Sequence, residues 1–181
     1  MTMTWDEYVE LSARTDKPLP ERERKLHHAL LLTTEYLEWI QTKRGTDNDT
    51  EERGDILWAL AAVYRDYNIK DASSDERQAS CYRYDTRIER LASAIKANIV
   101  YGKDNVDDIA AYTIGLRLSL WRARFGEANI AKLKARYPDK YDDSCATNRD
   151  TGKEMEAIRG TIKTWLEDLD RRRQKHGPHH V

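Results

Sequence analysis

Two carboxylate pairs carry the chemistry that this sequence can offer. Glu35 and Glu38 stand three residues apart, as do Glu52 and Asp55. On an α-helix that spacing puts both members of a pair on one face. The pairs are also symmetric about Gly45: Glu38 and Glu52 lie seven residues from it, Glu35 and Asp55 ten. If Gly45 closes an antiparallel hairpin, equidistant residues lie side by side, roughly 10–15 Å from the turn at ~1.5 Å per residue. The four carboxylates then converge on one patch, flanked by the apolar residues Tyr36, Leu37, Trp39, Ile40, Ile56, Leu57 and Trp58. Converging anions against apolar surface repel one another and are poorly solvated. A divalent cation resolves that conflict, and an all-oxygen ligand set favours Mg2+ or Mn2+ over zinc. Two such ions could polarise a phosphate, activate a water and hold a leaving group. The competing reading is a solvated acidic face, because glutamate is a good helix former and common on helix surfaces.

The hairpin that would position these residues is legible in the surrounding pattern. From about Glu21 to Arg44, Leu26, Leu30, Tyr36 or Leu37, and Ile40 recur at helical spacing, and Gly45 supplies a C-cap. A further helix, capped by Asp49 or Thr50, carries Ile56, Leu57, Leu60, Val63, Tyr64 and Tyr67. Upstream, Thr4-Trp5-Asp6-Glu7 is a capping-box start for a short first helix, with Pro18 and Pro20 marking its exit and the next start. Downstream, Asp71 to Glu76 reads as a polar linker. A helix with Ile88, Leu91, Ile95 and Ile99 stops at Gly102. Another carries Val106, Ile109, Ile114, Leu118 and Trp121 and stops near Gly126. A short helix ends before Pro138, residues 138–150 read as irregular, and a last helix carries Ile158, Ile162, Trp165 and Leu169 before a frayed tail from Arg171. No segment alternates with period two, so no sheet is expected. The expected architecture is one all-α domain over residues 1–181. It is a helical bundle with a four-helix core of two antiparallel hairpins, plus N- and C-terminal helices.

Shifting the first hairpin by 57 residues lays Gly45 on Gly102 and Ile69 on Gly126, with the apolar faces broadly coincident. Glu35, Glu38, Glu52 and Asp55 then fall on Ala92, Ile95, Ile109 and Tyr112. One hairpin holds charge where the other holds apolar groups.

Composition narrows the partners. The 31 basic and 32 acidic residues nearly cancel, which argues against binding nucleic acid or a membrane through bulk charge. Five Trp and ten Tyr are more than a disordered chain would carry. No apolar run reaches the ~18 residues of a membrane span. The first residues lack a signal-peptide core. Cys81 and Cys145 form no disulfide framework or metal knuckle and read as reduced thiols, so a cytoplasmic setting is expected. His27 and His28 precede the acidic pair by about two turns, and one of them reads as a packing residue near the helix start. No P-loop, GxSxG or Cys/His nucleophile arrangement occurs. The long apolar faces suggest a homo-oligomer, a dimer or tetramer with an isologous contact.

The motifs together resemble the MazG-like branch of the all-α nucleoside triphosphate pyrophosphohydrolase superfamily, which is marked by ExxE on one helix and ExxD on the next. Glu52-Arg53-Gly54-Asp55-Ile56-Leu57-Trp58 is similar to its second motif. Asn129 to Pro138 (Asn-Ile-Ala-Lys-Leu-Lys-Ala-Arg-Tyr-Pro), with Asn148-Arg149-Asp150, resembles the C-terminal segment of phage and bacterial members. Thr34, Tyr36 and Leu37 depart from the pattern, where glycines are frequent. The resemblance implies a catalytic hairpin over about 21–67, a degenerate one over about 76–125, and a C-terminal segment over 127–181. It implies Glu35, Glu38, Glu52 and Asp55 as ligands of Mg2+ (Mn2+ substituting), with one glutamate orienting or deprotonating the attacking water. Lys132 and Arg136 would meet phosphate, with Lys43 a further phosphate candidate. Asn129, Asn148 and Arg149 would contact base or sugar. The implied reaction converts a nucleoside triphosphate, with (d)GTP the leading substrate, to the monophosphate and pyrophosphate. A dUTPase- or dCTPase-like activity is the alternative within enzymes. A non-catalytic helical interaction module with a vestigial acidic patch is the alternative of another class.

Overall fold

In the computed structural model, which describes residues 2–70 and 84–176, the chain is all-α and the described residues contain no strand. The helices are α1 (Trp5–Ala13), α2 (Glu21–Gln41), α3 (Asp47–Asp66), α4 (Tyr84–Tyr101), α5 (Val106–Leu120), α6 (Ala123–Arg136), α7 (Asp143–Thr147) and α8 (Thr151–His176). The expected linker at Asp71–Glu76, and Cys81, lie outside the described residues.

The hairpins α2–α3 and α4–α5 close a four-helix ring, with α2 packed on α3 and α4, and α5 on α4 and α3. Helices α1 and α6 pack on α3 and on each other, and α8 lies along α6. Helix α3 is therefore the centre of the molecule. Its stretch Ile56, Leu57, Ala59 to Tyr64 is buried almost all round. A helix apolar on every side must be covered on every side, and the small Ala59, Ala61 and Ala62 let the neighbours approach. In the second hairpin, Ile95 and Ile109 are fully buried at the positions that overlay Glu38 and Glu52.

Caps set the helix ends. Thr4 makes the expected capping box with Glu7. Gly45 and Gly102 both adopt positive φ (78° and 63°), where a side chain would be strained. The start of α3 differs from expectation: its N-cap is Thr46, whose hydroxyl accepts from the Asp49 amide. Asp49 points inward instead.

Several apolar faces differ as well. Helix α2 buries His28, Ala29, Leu32 and Trp39, while Leu30, Leu37 and Ile40 are 67%, 47% and 48% exposed. Helix α5 buries Ile109, Thr113, Leu116 and Leu120 and leaves Val106 exposed. Each helix has two apolar sectors, and the packing of its neighbours selects one. Gly126 ends no helix: it sits inside α6, where a Cβ would come within 2.6 Å of the Trp121 ring. The 138–150 segment contains the short helix α7, and α8 continues past Arg171 to His176. No described helix is long and apolar enough to cross a membrane.

Candidate metal centre

The α2–α3 turn is pinned by one buried carboxylate. Asp49 accepts from the Gly45 amide (2.9 Å), Trp39 Nε1 (2.8 Å), Arg53 Nε (3.1 Å) and Arg44 Nη1 (3.2 Å). Burial alone would raise its pKa, but these donors outweigh burial and hold it at about 2. With the turn fixed, the register of the hairpin follows. Glu35 from α2 meets Glu52 and Asp55 from α3, each offering an oxygen within 4.8 Å of the others. Glu38, one turn along α2, lies outside this trio but lines the same cavity.

The trio is under electrostatic stress. Glu35 is pushed up to about 8, first by burial, then by the charges of Asp55 and Glu38. Glu52 is pushed up to about 7, again first by burial and then by Asp55 and Glu38. Lys132 opposes both shifts. Its side chain is 1% exposed, with Nζ 2.5 Å from both Asp55 oxygens. A buried ammonium against one of several crowded carboxylates neutralises part of the charge and leaves the rest.

Asp55 is oriented from a second side. Asn129 Nδ2 donates to Asp55 Oδ1 (2.9 Å), and Tyr8 donates its hydroxyl to Asn129 Oδ1 (2.8 Å). Helix α1 thus reaches the acidic cluster through α6. Gly54 makes this approach possible, since a Cβ there would stand 2.8 Å from Asn129 Cβ. The Tyr8 hydroxyl is held protonated by complete burial and by the charge of Asp55, with Arg65 opposing.

The acids form one wall of a cavity of about 460 Å³. Arg136 and Arg149 stand on the same cavity, tied to buried Glu154. Arg136 donates to both Glu154 oxygens (2.8 and 2.5 Å), and Arg149 Nη2 to one at 2.8 Å. Arg149 also comes within 3.7 Å of Glu51. Against the opening pull of burial, the two guanidinium groups hold Glu154 at about 2. Trp58, Tyr137 and Tyr141 supply aromatic surface on the remaining side, with Lys17 beside them.

Of the residues singled out in the sequence, Glu35, Glu38, Glu52, Asp55, Arg136 and Arg149 line this cavity, and Lys132 lies buried at its acidic wall. Asn129 does not line it: its amide is used by Asp55 and Tyr8. Lys43 is exposed in the α2–α3 turn and Asn148 is exposed after α7, and neither lines it. His28 is buried with Nδ1 2.6 Å from Asp66, away from the trio. Tyr8, Glu51 and Glu154 are participants that sequence reasoning passed over. Tyr8 and Glu51 are not marked locally because their partners lie far away in the chain, and Glu154 has only Arg149 nearby, its other partner Arg136 lying on α6.

The set fits a hard divalent cation. It offers carboxylate oxygens only, at mutual spacings a single ion can bridge, and the raised pKa values of Glu35 and Glu52 mean that a cation bound there would compete with protons. Compared with protein-family models, curated proteins and solved structures, the chain matches none.

Proposed function

We propose that this protein is a metal-dependent nucleoside triphosphate pyrophosphohydrolase that cleaves between the α- and β-phosphates. The observation that carries the reading is the Glu35–Glu52–Asp55 trio, within 4.8 Å, on a cavity that also holds Arg136 and Arg149. A polyanionic substrate next to an acidic wall requires cations between them, and the same cavity supplies guanidinium groups for the remaining phosphate charge. Glu35, Glu52 and Asp55, with Glu38 at the rim, would hold Mg2+ or Mn2+. When bound, such ions offset phosphate charge and lower the pKa of a coordinated water.

The chain's own residues account for the rest. Arg136 and Arg149, steadied by Glu154, bind phosphate oxygens. Lys132 and Asn129 hold Asp55 in place. Trp58, Tyr137 and Tyr141 offer surface for the base. Water attacks the α-phosphorus, a glutamate of the cluster takes its proton, and the bond to the bridging oxygen breaks, releasing monophosphate and pyrophosphate.

A second reading has its own observation. Lys132 already neutralises Asp55 within the protein, as expected of a non-catalytic module whose acidic patch is balanced internally. One experiment separates the two. Purified protein is given the dNTPs, NTPs and dUTP with Mg2+ or Mn2+, and products are resolved with pyrophosphate distinguished from phosphate. Monophosphate plus pyrophosphate, lost in Glu35→Gln and Asp55→Asn with helicity retained, is the expected result. Diphosphate plus phosphate sinks the mechanism. No turnover of any nucleotide returns the choice to the module.

A further inference from the structure

Helix α2 has a second face that the bundle does not use. Leu26, Leu30, Thr33, Leu37 and Ile40 follow one another at steps of four, three, four and three residues. That is the 3.5-residue seam along which helices pair. At ~100° per residue the five fall within a sector of about 80°, and Glu35 lies on about the opposite side of the helix. The seam is open: Leu30 is 67% exposed, Leu37 47% and Ile40 48%. A single exposed apolar side chain needs no explanation, but three on one seam of one helix form a patch that asks for a partner.

The seam is also symmetric about its own midpoint. Leu26 lies seven residues before Thr33 and Ile40 seven after; Glu23 lies ten before and Lys43 ten after. Glu23 and Lys43 are both exposed, and neither makes an ion pair among the described residues. We propose that two copies of this chain pair through α2, antiparallel, with the twofold axis at Thr33. Leu26 then meets Ile40 of the partner subunit, and Leu30 packs beside the partner subunit's Leu37. Glu23 comes level with Lys43 of the partner subunit, and the twofold repeats that pairing at the other end. Antiparallel helix dipoles also oppose favourably. A parallel pair would set Glu23 against its own copy and lose both pairings. The small polar Thr33 sits where the helices cross, which favours this register over a slipped one. The proposal does not depend on the enzymatic reading, because the seam and the carboxylate trio occupy opposite sides of α2.

Light scattering on the full chain, with circular dichroism as a check on folding, tests the pairing. The wild type is expected at twice the 21.2 kDa chain mass. Leu30→Glu with Leu37→Glu should give a folded monomer, with dimerisation weakened by more than about a hundredfold. Register is tested by crosslinking in a Cys81→Ser, Cys145→Ser background. Thr33→Cys should form a disulfide dimer under mild oxidation, and Leu166→Cys, also on an exposed leucine, should not. A wild-type monomer at all concentrations overturns the proposal. So does a dimer that survives both glutamates, or a Thr33→Cys chain that crosslinks no better than Leu166→Cys.

Discussion

Gly54 and Asn129 share a space that admits only one side chain. In an exposed helix, Gly→Ala gains roughly 1 kcal/mol from propensity. Here the new Cβ would stand 2.8 Å from Asn129 Cβ and 3.0 Å from its Nδ2, far inside contact distance. Either α6 moves off α3 or the Asn129 amide leaves Asp55. We expect Gly54→Ala to lower stability by about 1–3 kcal/mol and to weaken Mn2+ binding as Asp55 loses its donor. Urea unfolding and calorimetric titration check the two effects separately. A variant more stable than wild type would overturn the close α3–α6 contact as the reason for a glycine here. The role of this glycine was not legible from its neighbours, because the atom that forbids a Cβ lies 75 residues away in the chain. The carboxylate pairs were legible for the opposite reason: i, i+3 spacing and a shared turn are local facts, and the turn itself brings them together.

Helix α6 works as a rod that carries one functional face, with Asn129, Lys132 and Arg136 at steps of three and four. That face was readable as a periodic row, but its partners were not. Asn129 and Lys132 both turn to Asp55 on α3, and Arg136 turns to Glu154 on α8. The row was expected to meet substrate directly; two of its three members instead brace the acidic wall. The same limit explains the misassigned faces of α2 and α5. Periodicity identified helices with apolar sectors, and only the positions of α3 and α4 decided which sector was buried. Glu154 tests the rod's far end. It is 2% exposed and joins Arg136, Arg149 and the start of α8. Glu154→Gln leaves two guanidinium groups without their anion, and we expect a loss of about 2–4 kcal/mol at neutral pH. Because its folded pKa is depressed to about 2, this contribution is complete above the unfolded value of 4.5 and disappears as pH falls towards 2. The gap between wild type and variant should therefore close in acid; a constant gap would assign the loss to packing.

At the scale of the whole molecule, the acidic cavity makes stability depend on pH in the opposite direction. Glu35 and Glu52 ordinarily titrate near 4.5 but are held at about 8 and about 7 in the fold. Below 4.5 both are protonated folded or unfolded and cost nothing. As pH rises the unfolded chain ionises them freely while the fold resists, so the metal-free protein loses stability progressively up to about pH 8. Asp49 and Glu154, held at about 2, change only below this window. His27, lowered by burial and then by His28, works against the trend at its acid end, equally in wild type and in acid-site variants. The melting temperature in EDTA should fall from pH 5.5 to 8.5, and Glu35→Gln should flatten much of that fall. Mn2+ takes the place of the protons, so the stabilisation it gives should be small at pH 5.5 and grow towards 8.5. Glu35→Gln should abolish most of that growth. A stabilisation by Mn2+ that is the same at every pH, or that survives Glu35→Gln, would place the ion elsewhere on the chain and leave the acidic wall balanced by Lys132 alone.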